Sequence, residues 1–121
     1  MRSFRRYRRA VYIACFACFA ASAGIAQAAS FDCTKAQQPD ERAICASRQL
    51  SEMDVEMAVR YEMLTGLVAM GTRGDMQEAQ HDWLQNRSRC GASRSCLTTM
   101  YRSRINVLKA QYAQLKSRGP F

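Results

Sequence analysis

From Ser47 onward, apolar residues recur every three or four positions, the spacing that places them on one face of an α-helix. The first series predicts a long helix that is capped by Ser47 and ends near Met70. Its apolar positions are Leu50, Met53, Met57, Tyr61, Leu64 and Leu67. A shorter helix is predicted just before it, from Pro39 to about Cys45, because proline and two following acids suit a first helical turn.

Two further helices are predicted after the long one. Residues 71–74 contain two glycines, and Asp75 with Glu78 three positions later resembles a capping box, so a third helix should begin at Asp75. Its apolar positions are Met76, Ala79, Trp83 and Leu84. After a break at residues 91–93, a fourth helix of about six turns is predicted, and Gly119-Pro120 should end it. Its apolar positions are Leu97, Met100, Tyr101, Ile105, Leu108, Tyr112 and Leu115.

No segment alternates apolar and polar residues in the manner of a β-strand. The sequence therefore predicts an all-α fold, a small helical bundle with one short helix and three longer ones. Trp83 is expected to anchor its core against Leu64 and Ile105 or their neighbours, because it dominates the apolar face of its helix.

The start of the chain has the pattern of a secretion signal. A basic beginning leads into an uncharged apolar run from Ala10 to Ala21, and Ala26-Gln27-Ala28 offers a cleavage pattern of small residues. We expect a signal peptide at residues 1–28 and one mature domain at residues 29–121, located in the periplasm or secreted. A retained membrane anchor is the alternative, although the run is rich in alanine and only weakly apolar.

Four cysteines remain in the mature domain: Cys33, Cys45, Cys90 and Cys96. In an oxidising compartment an even number predicts disulfides, here two, for which three pairings are possible. We predict the local pairing of Cys33 with Cys45 and of Cys90 with Cys96, because glycine and serine in residues 91–93 let the chain reverse. The alternative is a zinc site, but the spacings C-x11-C and C-x5-C do not resemble zinc knuckles.

Charge is distributed unevenly along the chain. The net charge is +8, but five of the eighteen bases lie in the predicted signal, so the mature domain carries only +3 and no nucleic-acid partner is expected. All ten acids lie between Asp32 and Asp82 with only five bases, whereas Trp83 to Phe121 contains eight bases and no acid. This asymmetry favours docking of the two halves or an oriented encounter with a charged partner, unless the charges are simply solvated helix faces.

The sequence contains no arrangement that is typical of catalysis. His81 and Asp82 are neighbours, and adjacent helical residues point about 100° apart. No nucleophile stands at a recognisable spacing from them, so we predict that the protein is not an enzyme and needs no cofactor or metal. His81 is expected to face solvent or a partner. The basic last helix is a candidate for weak contact with an anionic membrane surface or lipopolysaccharide.

Several segments of the chain together resemble the LprI-type lysozyme inhibitor family, which comprises small exported bacterial domains. The similarity covers residues 31–108. It rests on Phe31-Asp32-Cys33-x-Lys35-Ala36, Glu41-x-x-Ile44-Cys45, Leu50-x-x-Met53-Asp54, Tyr61, Ala79-Gln80-x-x-Trp83-Leu84-x-x-Arg87-x-x-Cys90 and Cys96-Leu97-x-x-x-Tyr101-x-x-Arg104-Ile105. Two departures are Met53, where the family more often has leucine, and His81, where a basic residue is usual. The resemblance implies inhibition of a peptidoglycan-cleaving muramidase by binding.

An acidic face would speed association with lysozymes, since animal lysozymes are usually basic and cleave with a pair of carboxylates in a cleft. The candidate partner-binding residues are Asp40, Glu41, Glu52, Asp54, Glu56 and Glu62. The segment joined by Cys33 and Cys45 would supply a rigid edge to cover the cleft. The alternative function is a periplasmic envelope-stress module, or one that associates with membrane or lipopolysaccharide, with an unknown ligand.

Overall fold

The structure, a computed structural model, describes residues 28–119. A single 3-10 turn at Cys33–Lys35 precedes four α-helices: α1 (Pro39–Cys45), α2 (Arg48–Leu67), α3 (Met70–Ser88) and α4 (Arg94–Ser117). No strand occurs in residues 28–119, so the predicted all-α fold with one short and three longer helices is confirmed. Over the same residues, no helix combines the length and the apolar character needed to cross a membrane. The predicted signal peptide lies outside the described residues except for Ala28.

The first two α-helices begin as the sequence predicts. At the start of α1, the Glu41 carboxylate accepts hydrogen bonds from the backbone N–H groups of Gln37 and Gln38, at 2.9 and 3.1 Å. At the start of α2, the Ser47 hydroxyl accepts one from the backbone N–H of Leu50, at 3.4 Å. These side chains satisfy N–H groups that have no partner within the first turn of a helix.

The predicted start of the third helix is wrong. Helix α3 begins at Met70, so Gly71 and Gly74 lie inside its first turns and Asp75 is not its N-cap. The chain turns at residues 68–69 instead, where the backbone is extended. Glycine in a helix costs about 1 kcal/mol relative to alanine, which is why the sequence pattern favoured a break at this place.

Arg73 explains how the helix can begin so early. Its Nε donates a hydrogen bond to the carbonyl oxygen of Thr65 at 2.8 Å, and its Nη2 donates one to that of Val68 at 3.4 Å. One side chain from the first turn of α3 thus satisfies carbonyl groups at the end of α2 that would otherwise have no partner. The two helices are joined by a connection of two residues.

Both predicted disulfides are present. Cys33 and Cys45 are joined with their Cα atoms 5.8 Å apart, and Cys90 and Cys96 are joined with theirs 5.6 Å apart. The first ties the 3-10 turn to the end of α1, and the second closes the turn between α3 and α4, where Gly91 has a φ of 53°. With their sulfurs in disulfides, these four residues are not thiolate ligands of a zinc ion.

The core is formed where α2 packs along α4, with α3 against α1 and α4. Its buried apolar residues are Ile44, Leu50, Met57, Leu64, Met76, Trp83, Leu97, Tyr101, Ile105 and Leu108. Trp83 lies in this cluster with Leu64 and Ile105, as predicted, and its ring meets that of Tyr101 edge-on with centroids 5.2 Å apart.

Four positions that the pattern assigned to apolar helix faces are exposed. They are Leu67, Ala79, Leu84 and Tyr112. The buried positions of the three long helices that the pattern omitted are polar: Ser51, Asp54, Gln80, Arg87 and Arg104. A search for apolar residues at helical spacing selects the nearest apolar neighbour when the true core position is polar. The helices are therefore rotated slightly from their predicted orientation, and this rotation brings charged groups into the interior.

Candidate binding groove

A groove of about 980 Å³ lies between α2 and α3. These helices are consecutive but make few contacts with each other, because α2 packs on α4 while α3 packs on α1 and α4. The N-terminal segment and α1 form the third side of the groove, with Phe31 and Glu41 among its lining residues. The groove is thus built from three successive parts of the chain, between Ser30 and Ser88.

Four polar side chains at the floor of the groove form a network that we call the buried tetrad: Asp40, Asp54, Arg87 and Tyr101. Arg87 donates a hydrogen bond from Nε to Asp40 Oδ2 at 2.9 Å and from Nη1 to Tyr101 Oη at 3.2 Å. Tyr101 in turn donates from its hydroxyl to Asp54 Oδ1 at 2.8 Å. Each of the four α-helices contributes one member, so the tetrad ties the whole bundle together at this point.

Two groups of the tetrad have protonation states that are fixed by their surroundings. Burial by itself would lower the pKa of the Arg87 guanidinium, but the oxygen atoms of Tyr101 and Asp40 outweigh this effect and raise the pKa. Burial and the charge of Asp54 raise the pKa of the Tyr101 hydroxyl well above its usual value, so it stays protonated. By formal charge, the two carboxylates of Asp40 and Asp54 share one guanidinium at the floor.

The N-terminal segment closes over the tetrad. The backbone N–H and the hydroxyl of Ser30 both donate to Asp54 Oδ2, at 2.7 and 2.6 Å. The Arg87 guanidinium carbon lies 5.9 Å from the ring centroid of Phe31 and 5.8 Å from that of Trp83, within the range of cation–π attraction. The first residues after the predicted signal peptide are thereby fixed to the helices.

One acceptor of the tetrad has no donor. Asp40 is only 1% exposed, and its Oδ1 has no hydrogen-bond partner within residues 28–119. Unpartnered oxygen atoms are uncommon in protein interiors, because burial removes the hydrogen bonds they make with water. The negative charge on this oxygen is not offset by a neighbouring N–H group, which strengthens the negative potential at the floor of the groove.

The six predicted partner-binding acids occupy different environments. Asp40 and Asp54 are each 1% exposed and belong to the tetrad, so a partner does not meet their surface directly. The four glutamates are on or near the surface and differ in how strongly each is already paired.

Two of these glutamates carry ion pairs within the chain. Glu52 accepts a hydrogen bond from Arg48 Nε at 2.7 Å. Glu56 lies 2.8 Å from Arg60 Nη2 and 3.4 Å from Lys109 Nζ, and the hydrogen bond from Arg60, followed by that from Lys109, lowers the pKa of its carboxyl. Because Glu56 links α2 to α4, much of its charge is already balanced.

The other two glutamates line the groove. Glu41 has a lowered pKa because the backbone N–H groups of Gln38 and Gln37 donate to its carboxylate. Glu62 is exposed and has no ion pair within the part of the chain that the structure describes. With Asp40 and Asp54 they supply four carboxylates to the lining, against the single guanidinium of Arg87. The groove therefore carries three net negative charges when its histidine is neutral.

His81 lies at the edge of the groove and is exposed, as predicted. Its Nε2 is 2.8 Å from the side-chain nitrogen of Gln85, one helical turn further along α3. Among residues 28–119, no three His, Cys, Asp or Glu side chains are grouped so as to hold a metal ion. The lining of the groove thus combines charged and polar side chains with a smaller number of apolar ones.

Arg87 and Tyr101 were missed as site residues by sequence reasoning, although a signal was present. Arg87 follows Trp83 by four positions and Asp54 follows Leu50 by four, so both charged residues occupy the helical phase of the core. Charged residues are rarely buried without a partner of opposite sign. Two residues of opposite charge, each on the core-facing side of a different helix, therefore indicate a buried pair.

Tyr101 should make the stability of the protein sensitive to alkaline pH. Its pKa is raised on folding, so above about pH 10 the unfolded chain loses a proton that the folded protein keeps. The contribution of Tyr101 to the free energy of unfolding is therefore fully present below that pH. Above it, this contribution falls by up to about 1.4 kcal/mol per pH unit. Urea unfolding of wild type between pH 8 and pH 11 should show this loss, and Tyr101→Phe should show a flatter profile.

A matched control for this experiment is Tyr112→Phe, which removes an exposed tyrosine from the same helix. It should keep the wild-type pH profile. Identical profiles for wild type and Tyr101→Phe would contradict the assigned role of the Tyr101 hydroxyl.

The chain is similar to one known protein family. The family model described as "Lysozyme inhibitor LprI" matches residues 33–108, which is more than half of the chain. No curated protein and no solved structure matches the chain significantly. The matched range includes both disulfides, all of the buried tetrad and the three glutamates of α2. This chain therefore belongs to the LprI lysozyme inhibitor family.

Proposed function

We propose that this protein is an exported, non-catalytic inhibitor that binds a lysozyme-type muramidase and so protects peptidoglycan. The family match over residues 33–108 supports the class of function. The observation that carries the physical argument is the groove with three net negative charges on the acidic half of the bundle. A basic muramidase is attracted to such a surface, and complementary charge raises the rate of association.

Inhibition by binding follows from how muramidases work. Their two carboxylates lie in a cleft that must admit a polysaccharide chain, so a protein that covers the cleft excludes the substrate. The Cys33–Cys45 disulfide joins the 3-10 turn to the end of α1, the helix whose first residues line the groove, and so makes this segment more rigid. A rigid edge loses little conformational entropy on binding, which favours affinity.

The two disulfides indicate an extracytoplasmic location, because such bonds persist in oxidising compartments. We place the mature domain, residues 29–121, in the periplasm or outside the cell after removal of residues 1–28. There it would meet muramidases that reach the cell wall.

A cell-wall lysis assay tests this function. Mature protein is mixed with c-type lysozyme, and the clearing of a cell-wall suspension is followed at low and moderate salt. We expect dose-dependent slowing that weakens as salt screens the charges. Protein that is reduced and then alkylated with the neutral reagent iodoacetamide has the same net charge but lacks the disulfides, so it should inhibit much less. No slowing at micromolar protein against several lysozymes would contradict the proposal.

A second candidate is contact with an anionic membrane or lipopolysaccharide through α4. This helix exposes Arg102, Lys109 and Lys116, seven residues apart and so on one face, together with the apolar ring of Tyr112 nearby. Exposed bases beside apolar groups favour weak binding to anionic lipid surfaces. Co-sedimentation with anionic vesicles that decreases with salt would support this candidate, and no binding to vesicles of any composition would exclude it.

A further inference from the structure

We propose that the groove between α2 and α3 receives a basic side chain of the bound protein, with arginine preferred. This inference rests on the proposed function, because it identifies the part of the muramidase partner that the groove would bind. The occupant would be an arginine on a surface loop, inserted with its guanidinium towards the buried tetrad.

The charge of the groove selects a cation. Two of its carboxylates, Glu41 and Glu62, lie at the side and rim, while Asp40 and Asp54 lie at the floor with Arg87 between them. The buried oxygen of Asp40 that lacks a donor adds to the negative potential there. An anionic or neutral ligand would gain nothing from this field, whereas a cation is attracted and then held in surroundings less polar than water.

The walls of the groove suit the rest of an arginine side chain. Ala58 and Tyr61 on α2 and Leu84 on α3 line the groove, and they offer apolar surface to the methylene groups. The side-chain amides of Gln77 and Gln85 add acceptors on the α3 side. A guanidinium has five N–H donors in a planar fork, so it can use acceptors on several walls at once, which an ammonium group does less well.

The volume of the groove indicates that more than a lone side chain enters. About 980 Å³ is at the upper end of the range of small-ligand pockets, so the backbone of the loop that carries the arginine would also fit.

Stability alone does not account for the buried tetrad. Apolar residues of similar volume often stabilise a fold as well as a buried network of charged groups does. A charged floor is accounted for if it serves binding.

Affinity for lysozyme in two matched pairs of variants tests the groove. Ala58→Phe fills the groove, and its control Ala113→Phe adds the same ring to the exposed face of α4. Glu62→Gln removes a rim charge, and its control Glu78→Gln removes the same charge from an exposed site on α3 outside the groove. We expect Ala58→Phe to weaken binding at least about tenfold and its control less than about twofold.

Glu62→Gln should likewise weaken binding more than Glu78→Gln does, by about threefold or more. Circular dichroism and thermal unfolding confirm that each variant is folded before its affinity is compared. If lysozyme binds wild type, but Ala58→Phe and Glu62→Gln bind as their controls do, the groove proposal is overturned while the proposed function stands.

A second measurement does not depend on lysozyme. Proton–nitrogen NMR spectra of the mature protein are recorded with millimolar N-acetyl-arginine methylamide and with the neutral citrulline analogue, which has nearly the same shape. We expect the arginine probe to shift signals of groove residues such as Ala58, Glu62 and His81, and to leave them unchanged in Ala58→Phe. The lysine analogue should cause smaller shifts.

The outcomes separate the two proposals. Groove shifts with arginine but no binding of any lysozyme would refute the proposed partner and leave a site for basic side chains. Equal shifts with arginine and citrulline would overturn the electrostatic basis of the groove. The other possible occupant of the groove is the basic α4 of a second copy of the chain. Sedimentation of wild type at the same concentration tests this. A dimer that is dispersed by Ala58→Phe would overturn the proposal that the groove binds an arginine of another protein.

Discussion

Arg87→Met is expected to lower the free energy of unfolding by about 3–5 kcal/mol. Within residues 28–119, the substitution removes the only cation paired with the carboxylates of Asp40 and Asp54, both almost completely buried. Methionine is close enough in length to stay between the rings of Phe31 and Trp83, so the loss comes chiefly from charge rather than from a cavity. Urea unfolding at neutral pH, followed by circular dichroism, measures the effect.

Further variants assign this loss to the buried tetrad. Arg89→Met removes an exposed arginine two positions along the chain and should change stability by less than about 0.5 kcal/mol. Adding Asp40→Asn and Asp54→Asn to Arg87→Met removes the isolated charges and should recover part of the stability, so the three changes will not be additive. A loss below about 1 kcal/mol for Arg87→Met alone would show that water or movement of the chain relieves the charges.

The tetrad connects the stability of the bundle to the shape of the proposed site. It holds one residue from each helix, and it lies beneath the groove in which we propose that an arginine binds. Variants of the tetrad will therefore affect folding and binding together. For this reason the groove is better tested at Ala58 and Glu62, which line it without taking part in the network.

The sequence predicts the fold through its local signals. Ser47 caps α2, and the turn at residues 91–93 is closed by the predicted Cys90–Cys96 disulfide. The error at α3 has a specific cause, since the glycines at 71 and 74 are tolerated because Arg73 bonds back to the end of α2. That contact depends on the geometry of a turn that the spacing of residues does not specify.

The site is predicted less completely because it depends on distant contacts. The pairs Asp40–Arg87 and Asp54–Tyr101 are each separated by 47 positions. Composition locates the acids in the first half of the mature domain, but which of them are buried depends on the rotation of each helix. A periodicity that counts only apolar residues selects Met53, which is partly buried against the core, but it passes over its neighbour Asp54, which is almost completely buried. The groove itself arises because α2 and α3 make few contacts with each other. The residue pattern of either helix taken alone does not show this.

Trp83→Ala is expected to cost about 3–5 kcal/mol of stability, because it removes the largest side chain of a small core and leaves a cavity. The indole ring packs edge-on against Tyr101, and its Nε1 donates a hydrogen bond to the carbonyl oxygen of Met100 at 3.4 Å. The free energy of unfolding of a typical domain is only about 5–15 kcal/mol, so a loss of this size leaves a marginal fold. The midpoint of urea unfolding, measured with the disulfides intact, should fall accordingly.

Leu84→Ala is the matched control, since Leu84 is the next residue on α3 and is 39% exposed. It should cost less than about 1 kcal/mol, because little apolar surface returns to water. Trp83→Phe should fall between the two, since it keeps an aromatic ring beside Tyr101 but loses the indole N–H. Equal losses for Trp83→Ala and Leu84→Ala would mean that the ring contact with Tyr101 does not hold α3 in place. In that case α3 would be positioned mainly by the polar bonds of Arg87 and by the Cys90–Cys96 disulfide, and Arg87→Met would be the more damaging substitution by a wide margin.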